Sequence, residues 1–385
     1  MRGTIQIYNL CFLGFGNVNR TLVRLLEDRR QELQSRYGIA YRITGIASRR
    51  LGWIADENGI NSDAALALNS DGEAHDSKGQ DPTAEDLRAL DLKALDLNAA
   101  ALKGHGFSRA DQIRQDKGLQ PLRDADVHSW LAAARAYVLF EATSLNVTTG
   151  QPAIDHIRAA LDHGAHAITA NKGPIVHAYR ELRDLAAAHK KKFLFESTVM
   201  DGVPIFSLLD QMPAIHLQGF HGILNSTTNV ILSEMESGLT FDEALNKAQA
   251  LGIAETDATH DIDGWDAAVK TAALITVLMD VPIRLEEITR EGIRDLTPQA
   301  LRNAKRDGWP FKLVCRAKRV GDRVEASVAP EKVLASSPMG KITGSSSYIY
   351  FETDIFPGLA ITEENPGLYA TAYGMLADFV RAVRD

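Results

Sequence analysis

Apolar runs and amphipathic segments alternate along the first half of the chain. After an apolar run, Val18, Leu22 and Leu25 recur at helical spacing, which predicts a strand followed by a helix. Strands that alternate with helices in this way favour a parallel sheet, so we predict an α/β fold that begins with a Rossmann-type nucleotide domain. The predicted strands are residues 4–13, 41–47, 137–144 and 165–169, and a further helix is predicted at 152–163.

The second half of the chain has a different pattern. Residues 264–279 are almost wholly apolar, which predicts a buried helix with Asp263 as its N-cap. Alternating positions at 311–335 and a further run at 345–353 predict strands of a second, antiparallel or mixed sheet. This pattern favours an α+β arrangement.

These patterns divide the chain into two predicted domains. Residues 1–194 form a dinucleotide-binding domain, which a final helix within residues 366–385 completes. Residues 195–365 form an α+β domain for substrate binding, catalysis and dimerisation. Residues of about 61–126, rich in Asp, Ala and Gly, interrupt the alternation and predict a helical or irregular insertion.

Composition and charge narrow the function classes. The chain has 385 residues, 45% of them hydrophobic, and a net charge of -8, which argues against a nucleic-acid partner. No apolar run reaches the ~18 residues of a membrane span, and the N-terminus has no small-residue cleavage signal. Cys11 and Cys315 are too few for a disulfide framework or a thiolate metal site. We therefore expect a cytoplasmic protein with a small-molecule substrate.

The first predicted strand ends at a glycine turn, Gly14-Phe15-Gly16-Asn17-Val18-Asn19. Gly14 permits the sharp turn, and Gly16 lets a pyrophosphate approach the backbone N–H groups at the helix start, near Asn17 and Val18. Asn19 stands where the third glycine of the dinucleotide fingerprint is usual. The alternative interpretation of so short a motif is a tight turn without a ligand.

Two arginines follow the second predicted strand. An NAD site usually has an acidic residue there for the ribose 2′-hydroxyl, but this strand ends in Ser48-Arg49-Arg50. Guanidinium groups suit a 2′-phosphate, so NADP(H) is favoured over NAD(H). A solvated basic turn is the alternative.

Later motifs carry a family resemblance. Asn171 and Lys172 directly follow a predicted parallel strand, at the edge where such sheets bind ligands. The other motifs are Glu196–Pro204, Gly222–Asn229, Leu251–Asp257 and Asp261–Lys270. Together with the glycine turn, this set resembles homoserine dehydrogenase over most of the chain outside the 61–126 insertion.

The resemblance implies a reaction and roles for its residues. The reaction is the NAD(P)H-dependent interconversion of L-aspartate 4-semialdehyde and L-homoserine. Lys172 and Lys270 correspond to catalytic lysines. Substrate-binding roles are implied for Glu255, Asp261, Asp266 and Thr227, and the acidic residues among them also hold the lysines.

The resemblance also implies how cofactor and cation are bound. Thr143, Ser144 and the Asn171–Lys172 turn correspond to part of the nicotinamide pocket, and Gly367 to a turn that closes over the cofactor. A monovalent cation, Na⁺ or K⁺, is implied at a loop that usually binds it through backbone carbonyls, here Glu196, Val199, Asp201 and Val203. A homodimer or homotetramer is implied, and because the sequence ends at Asp385 we expect no separate regulatory domain.

Three positions depart from the family pattern besides Asn19. Met200 and Asp201 stand where glycines are usual in the cation loop, and Ser226 replaces a glycine in the Gly-Thr-Thr-Asn turn. These differences are also compatible with a divergent branch that acts on a related substrate.

Simple chemistry supports the same residues. Reduction of an aldehyde by hydride requires a proton for the developing alkoxide, and an ammonium group supplies it. Asp266 and Lys270 are four residues apart, so they share one helix face. As a surface ion pair they would contribute only ~0.3–0.5 kcal/mol, but their helix is otherwise apolar, and burying charges is costly without a purpose. The alternatives are an NADP-dependent oxidoreductase of another small amino- or hydroxy-aldehyde and a non-catalytic nucleotide-binding relative.

Overall fold

The first of two sheets has the strand order β3-β2-β1-β4-β5-β6. The computed structural model describes residues 6–68, Leu122 and 125–384. The strands are β1 (Ile7–Leu13), β2 (Ala40–Ser48), β3 (Gly52–Ile60), β4 (Val138–Glu141), β5 (His166–Thr169) and β6 (Phe193–Leu194). The helices of this part are α1 (Asn17–Asp28), α2 (Arg30–Tyr37), α3 (Ser62–Ala67), α4 (Val127–Ala133), α5 (Ala153–His163) and α6 (Gly173–Ala188).

The predicted parallel sheet is confirmed, with one addition. Strands β2, β1, β4, β5 and β6 pair in parallel, and β3 adds an antiparallel edge to β2. Sequence patterning missed β3, whose polar residues are typical of an edge strand. Of the predicted 61–126 insertion, residues 61–68, Leu122 and 125–126 are described, and the first of these stretches contains α3; residues 69–121 and 123–124 lie outside the described part.

The second sheet has the order β12-β11-β7-β9-β10-β8. Before and between its strands lie α7 (Ile205–Asp210), β7 (Leu217–Ile223), α8 (Ser226–Ser237), α9 (Phe241–Ala250), α10 (Thr259–Ile262), α11 (Trp265–Leu278), β8 (Thr289–Arg290) and α12 (Pro298–Arg306). The chain continues with β9 (Phe311–Val320), β10 (Arg323–Lys332), β11 (Ser347–Thr353), β12 (Leu359–Glu363) and α13 (Leu368–Arg384). Only β8 and β10 pair in parallel within this described sheet, so the predicted mixed sheet is confirmed.

The predicted N-cap of the apolar helix is wrong by one residue. Gly264, with φ of 78°, is the N-cap of α11, and a side chain there would be strained in the left-handed conformation. Asp263 accepts hydrogen bonds from Arg294 instead, at 3.1 and 3.2 Å. The turn still places Asp266 and Lys270 in the first two turns of α11.

The final helix returns to the nucleotide-binding side of the molecule. In α13, Met375 and Phe379 are fully buried in one apolar cluster with Leu22 and Leu26 of α1. Burial of this face fixes the C-terminal helix beside the first sheet. In the described ranges, none of the helices combines the length and apolar composition that a bilayer crossing requires.

A buried histidine in β5 is expected to weaken the fold in mild acid. Burial, with the nearby charges of Lys191 and Lys192, lowers the pKa of His166 from 6.5 to about 4. The unfolded chain therefore binds more protons between these values, so stability falls as pH falls through this window, by about 1–2 kcal/mol. Urea unfolding at pH 7 and pH 4.5 measures this loss, which His166→Asn should remove; the Asn oxygen can still accept the hydrogen bond from Lys192 N.

The exposed His216 provides the control for that measurement. His216→Asn should keep the wild-type dependence on pH. Equal acid sensitivity of wild type and His166→Asn would contradict the prediction.

Candidate functional site

The glycine turn forms an open cradle at the carboxyl edge of the first sheet. Gly14 has φ of 78°, and a Cβ there would overlap the carbonyl group of Ala142, so glycine is required. Gly16 is the N-cap of α1, and a Cβ on it would meet only open space. Exposed Asn17 and half-buried Val18 begin the helix. Open space before a helix N-terminus suits a dinucleotide pyrophosphate, so these residues fit the predicted cofactor.

Asn19 has a structural role that the sequence did not reveal. Its side-chain Nδ2 donates to the carbonyl oxygens of Leu13 and Gly14, both at 3.1 Å. The residue is fully buried. Hydrogen bonds from Asn19 therefore tie α1 to the end of β1 at the position where a third glycine is usual.

The predicted 2′-phosphate residues lie beside this cradle. Leu13 pairs with Ala47, so the turn after β2 is level with the glycine turn. Arg49 and Arg50 are exposed in that turn. Their guanidinium groups are thus available to a ligand that extends from the cradle towards β2.

The ends of β4 and β5 bring the predicted nicotinamide-side residues together. Asn171 Nδ2 donates to the backbone oxygen of Thr143 at 3.1 Å, and Gly173 N donates to Asn171 Oδ1 at 2.9 Å. Ser144 is exposed beside them, and Lys172 is the N-cap residue of α6. Since Glu141 pairs with both Leu13 and Thr169, these loops share one edge with the glycine turn.

Two lysines that are far apart in sequence meet at one carboxylate. Lys172 Nζ lies 3.2 Å from Asp266 Oδ1, and Lys270 Nζ lies 3.1 Å from Asp266 Oδ2. Lys270 Nζ also donates to the backbone oxygen of Leu224 at 2.7 Å. All three side chains are 17–18% exposed, so the cluster is largely shielded from water but still accessible.

Asn225 completes this cluster, and the sequence analysis did not assign it a role. Asn225 Nδ2 donates to Asp261 Oδ1 at 2.6 Å and to Asp266 Oδ2 at 2.9 Å. Its Oδ1 accepts from Thr228 N at 2.8 Å as the N-cap of α8. In the sequence Asn225 was visible only as one member of the Gly222–Asn229 motif, and an Asn before a helix is typical of a cap rather than of a site.

The charged groups of this cluster shift one another's pKa values. Burial alone would raise the pKa of Asp266, but the ammonium groups of Lys172 and Lys270 hold it well below its ordinary value. Burial alone would lower the pKa of Lys270, yet Asp266, with Asp201 and Asp261, raises it. Burial and the Asp266 charge raise the pKa of Asp261. The site therefore keeps an ammonium ion beside an ionised carboxylate.

Of the other two predicted substrate residues, Thr227 interacts with Asp261 of this cluster and opposes the rise of its pKa. Thr227 is buried in the first turn of α8, where its hydroxyl donates to Ile253 O at 3.2 Å. Glu255 is exposed on the loop between α9 and α10, and its backbone oxygen accepts from Gln249 at 3.1 Å. Among the described residues, the hydrogen-bonded cluster includes Asp261 and Asp266 but does not extend to Glu255.

Several groups of the predicted cation loop form hydrogen bonds within the protein. Glu196 accepts backbone hydrogen bonds from Phe206 at 2.7 Å and Ser207 at 3.0 Å, so its carboxylate caps the start of α7. Val203 O accepts from Ile205 N at 2.8 Å. The Glu196 carboxylate and Val203 O are thus engaged within the protein, and the described residues contain no cluster of three or more His, Cys, Asp or Glu side chains suited to a metal. A monovalent cation held by backbone carbonyls does not depend on such a cluster, so this site stays a prediction.

Asp201 and Gly367 lie where the loop meets the final helix. Asp201 has φ of 44°, a conformation that explains why glycine is usual there, and its Oδ1 accepts from Thr371 at 2.6 Å. Val199 is buried in the same loop, and Gly367 is exposed directly before α13.

Glu363, at the end of β12, is a second residue that the sequence analysis missed. Its Oε2 is buried and has no hydrogen-bond partner among the residues that the structure describes. Burial and the charge of Asp201 raise the pKa of Glu363 to about 8, against the opposing effect of Lys270. Nothing in the sequence linked this residue to Lys270, which lies 93 positions earlier in the chain.

Comparisons with known proteins agree with this geometry. The family model described as homoserine dehydrogenase matches residues 204–380, and that of the homoserine dehydrogenase NAD-binding domain matches residues 102–196. An NAD(+)-dependent homoserine dehydrogenase of Pseudomonas canavaninivorans is 31% identical over 97% of this chain and 95% of its own. A homoserine dehydrogenase of Methanocaldococcus jannaschii is 30% identical over 97% of both chains.

The fold is shared with solved structures as well. A homoserine dehydrogenase from Thiobacillus denitrificans superposes with a TM-score of 0.73 at 24% identity. The match covers 98% of this chain and 74% of that one.

Proposed function

Because the chain belongs to the homoserine dehydrogenase family and is thus an NAD(P)-dependent oxidoreductase acting on a CH–OH group, we propose that it interconverts L-aspartate 4-semialdehyde and L-homoserine. The observation that carries this proposal is the convergence of Lys172 and Lys270 on Asp266. The convergence lies between α6, which begins at the ligand-binding edge of the first sheet, and α11 of the second domain.

The chain's own residues supply the proton. Bound NAD(P)H supplies the hydride that reduces the aldehyde carbon. An ammonium group has three N–H donors, and Lys270 uses two of them on Asp266 and Leu224 O, which leaves one for the substrate oxygen. Lys270 then donates a proton to the alkoxide, and accepts one in the reverse direction. Asp266 stabilises both ammonium groups and fixes their positions.

The other implied roles belong to the same proposal. Asp261, Thr227 and Glu255 bind the substrate, with Asp261 held by Asn225 beside the lysines. Thr143, Ser144, Asn171 and Gly367 surround the nicotinamide end of the cofactor. A monovalent cation at residues 196–203 stays a prediction, and no step above depends on it.

A steady-state assay with L-homoserine and each nicotinamide cofactor tests the activity. We expect turnover with homoserine and none with simple primary alcohols that lack the amino-acid group. Turnover on another small amino- or hydroxy-alcohol instead would favour the alternative substrate, and cofactor binding without any turnover would favour a non-catalytic relative.

NADP(H) is the proposed preference, supported by the exposed Arg49 and Arg50 beside the cradle. The NAD(+) dependence of the Pseudomonas relative makes NAD(H) the alternative. A charge-assisted hydrogen bond contributes roughly 1.5–3 kcal/mol, so replacing both arginines with alanine should weaken NADPH binding about tenfold or more and leave NADH binding unchanged. Fluorescence titration of both cofactors measures this difference.

The exposed Arg36, on the outer helix α2, is the matched control. Arg36→Ala should affect neither cofactor. Equal weakening of NADPH and NADH by the Arg49 and Arg50 replacements would contradict the phosphate-binding role.

The domain division and assembly are also proposed. The first sheet ends at Leu194, and α13 packs back against α1, which supports a nucleotide domain of residues 1–194 completed by 366–385. Residues 195–365 then form the catalytic and dimerisation domain. A homodimer or homotetramer in the cytoplasm is part of the same proposal.

A further inference from the structure

A carboxyl group that the mechanism does not use lies beneath the site. Glu141, the last residue of β4, is fully buried. Burial raises the pKa of its carboxyl group, and the hydroxyls of Thr143 and Thr169 oppose that effect. Burying a carboxyl group costs free energy unless hydrogen bonds compensate for the loss of water. The hydrogen bonds that Glu141 forms therefore indicate what the residue does.

The two carboxylate oxygens of Glu141 contact two different threonines. Oε1 accepts from Thr143 N at 2.8 Å and from the Thr143 hydroxyl. Oε2 accepts from Thr169 Oγ1 at 2.5 Å. Thr143 begins the loop after β4, and Thr169 ends β5, so one side chain joins two strand ends.

The hydrogen bonds continue from Thr169 to the turn that holds Lys172. Thr169 Oγ1 accepts from Asn171 N at 2.9 Å. Asn171 Nδ2 then donates to Thr143 O at 3.1 Å, which closes a ring of four residues. Lys172 follows Asn171 directly, and its ammonium group lies 3.2 Å from Asp266.

We propose that Glu141 is a positioning residue, whose carboxyl group joins the loop of Thr143 to the Asn171–Lys172 turn and so fixes the Lys172 ammonium group against Asp266. This inference rests on the proposed function only for its effect on turnover. Hydrogen-bond networks of this kind orient a reacting group within a fraction of an ångström, and misplacement by about 1 Å costs up to ~10²-fold in rate.

Two variants break the ring without emptying the site. Glu141→Gln places an amide nitrogen donor against the Thr169 hydroxyl, which then loses its acceptor. Thr169→Val removes the hydroxyl that links Glu141 to Asn171, whereas Thr169→Ser keeps it. Thr44→Val is the matched control, because Thr44 is also fully buried in a strand of the same sheet but lies outside the ring.

The first measurement does not require turnover. Acetic anhydride acylates lysines of the folded protein, and mass spectrometry of its peptides then measures the rate at which Lys172 is acylated. This rate reports how firmly the Lys172 ammonium group is held. We expect Glu141→Gln and Thr169→Val to speed acylation of Lys172 several-fold, and Thr169→Ser and Thr44→Val to leave the wild-type rate. Unchanged acylation in both ring variants would overturn the proposal, whether or not the protein oxidises homoserine.

The second measurement is a double-mutant cycle on kcat with homoserine. Thr169→Val should lower kcat about tenfold or more in the wild-type background, but less than twofold when Lys172 is already replaced by alanine. The same fold loss in both backgrounds would show a general structural effect and would contradict the positioning role. Wild-type protein that fails to turn over homoserine contradicts the proposed function alone, because the acylation result still decides the role of Glu141.

Discussion

Replacement of Lys270 with methionine is expected to lower kcat at least a hundredfold while cofactor affinity stays within about twofold of wild type. Methionine keeps most of the volume of this largely buried side chain but removes its ammonium group. General acid catalysis contributes typically 10²–10⁴-fold, and Lys270 also stabilises the developing charge on the alkoxide. Steady-state kinetics with homoserine, together with titration of the cofactor, measures the two quantities separately.

Lys247 provides the control for this variant. It also forms an ion pair, with Glu234 at 2.9 Å, but on the protein surface. Lys247→Met should therefore keep full activity. A Lys270→Met protein that retains near-normal kcat would remove the catalytic role and leave Lys270 as a structural partner of Asp266.

Replacement of Asp266 with asparagine is expected to lower kcat by about a hundredfold and to change its pH dependence. The carboxylate lies between two ammonium groups and raises the pKa of Lys270. Without that charge the pKa of Lys270 falls. As the pH is raised, Lys270 therefore loses the proton needed for aldehyde reduction at a lower pH than in the wild type. The alkaline limb of the pH–rate profile for aldehyde reduction should thus move to lower pH in the variant.

Asp263→Asn is the matched control, since Asp263 lies in the more exposed turn just before the same helix and pairs with Arg294 at 3.1 Å. This variant should keep the wild-type profile. An alkaline limb that stays in place in Asp266→Asn would mean that Lys270 is not the proton donor, even if kcat falls.

The pattern of apolar residues was a sound guide to the first sheet and a weaker one elsewhere. Predicted strands and helices of the nucleotide domain differ from the observed ones by only a few residues, because buried parallel strands form continuous apolar runs. The edge strand β3 was missed because its exposed positions are polar. The cap of α11 was assigned to Asp263 from its residue type, whereas the backbone turn selected Gly264 for its left-handed conformation.

In the candidate site, too, some features could be predicted from the sequence and others could not. The shared helix face of Asp266 and Lys270 follows from a spacing of four residues, and the glycine turn follows from local steric rules. Asn225, Glu141 and Glu363 carried no such signal, because each interacts with at least one residue that is distant in the chain. Asn225 was visible only as one residue of the Gly222–Asn229 motif, and Glu141 only as one more residue of a buried strand.

The sequence by itself therefore determined the α/β class, the cradle at Gly14 and Gly16, and the pairing of Asp266 with Lys270, since all of these depend on neighbours within one turn or one strand. The family resemblance implied that acidic residues hold both lysines, but only the tertiary structure decided that Lys172 reaches Asp266, 94 positions along the chain. It also decided that Glu255 stays outside the hydrogen-bonded cluster of the described residues. Packing of α11 against α6 brings those charges together, and packing depends on the shape of whole elements rather than on any local pattern.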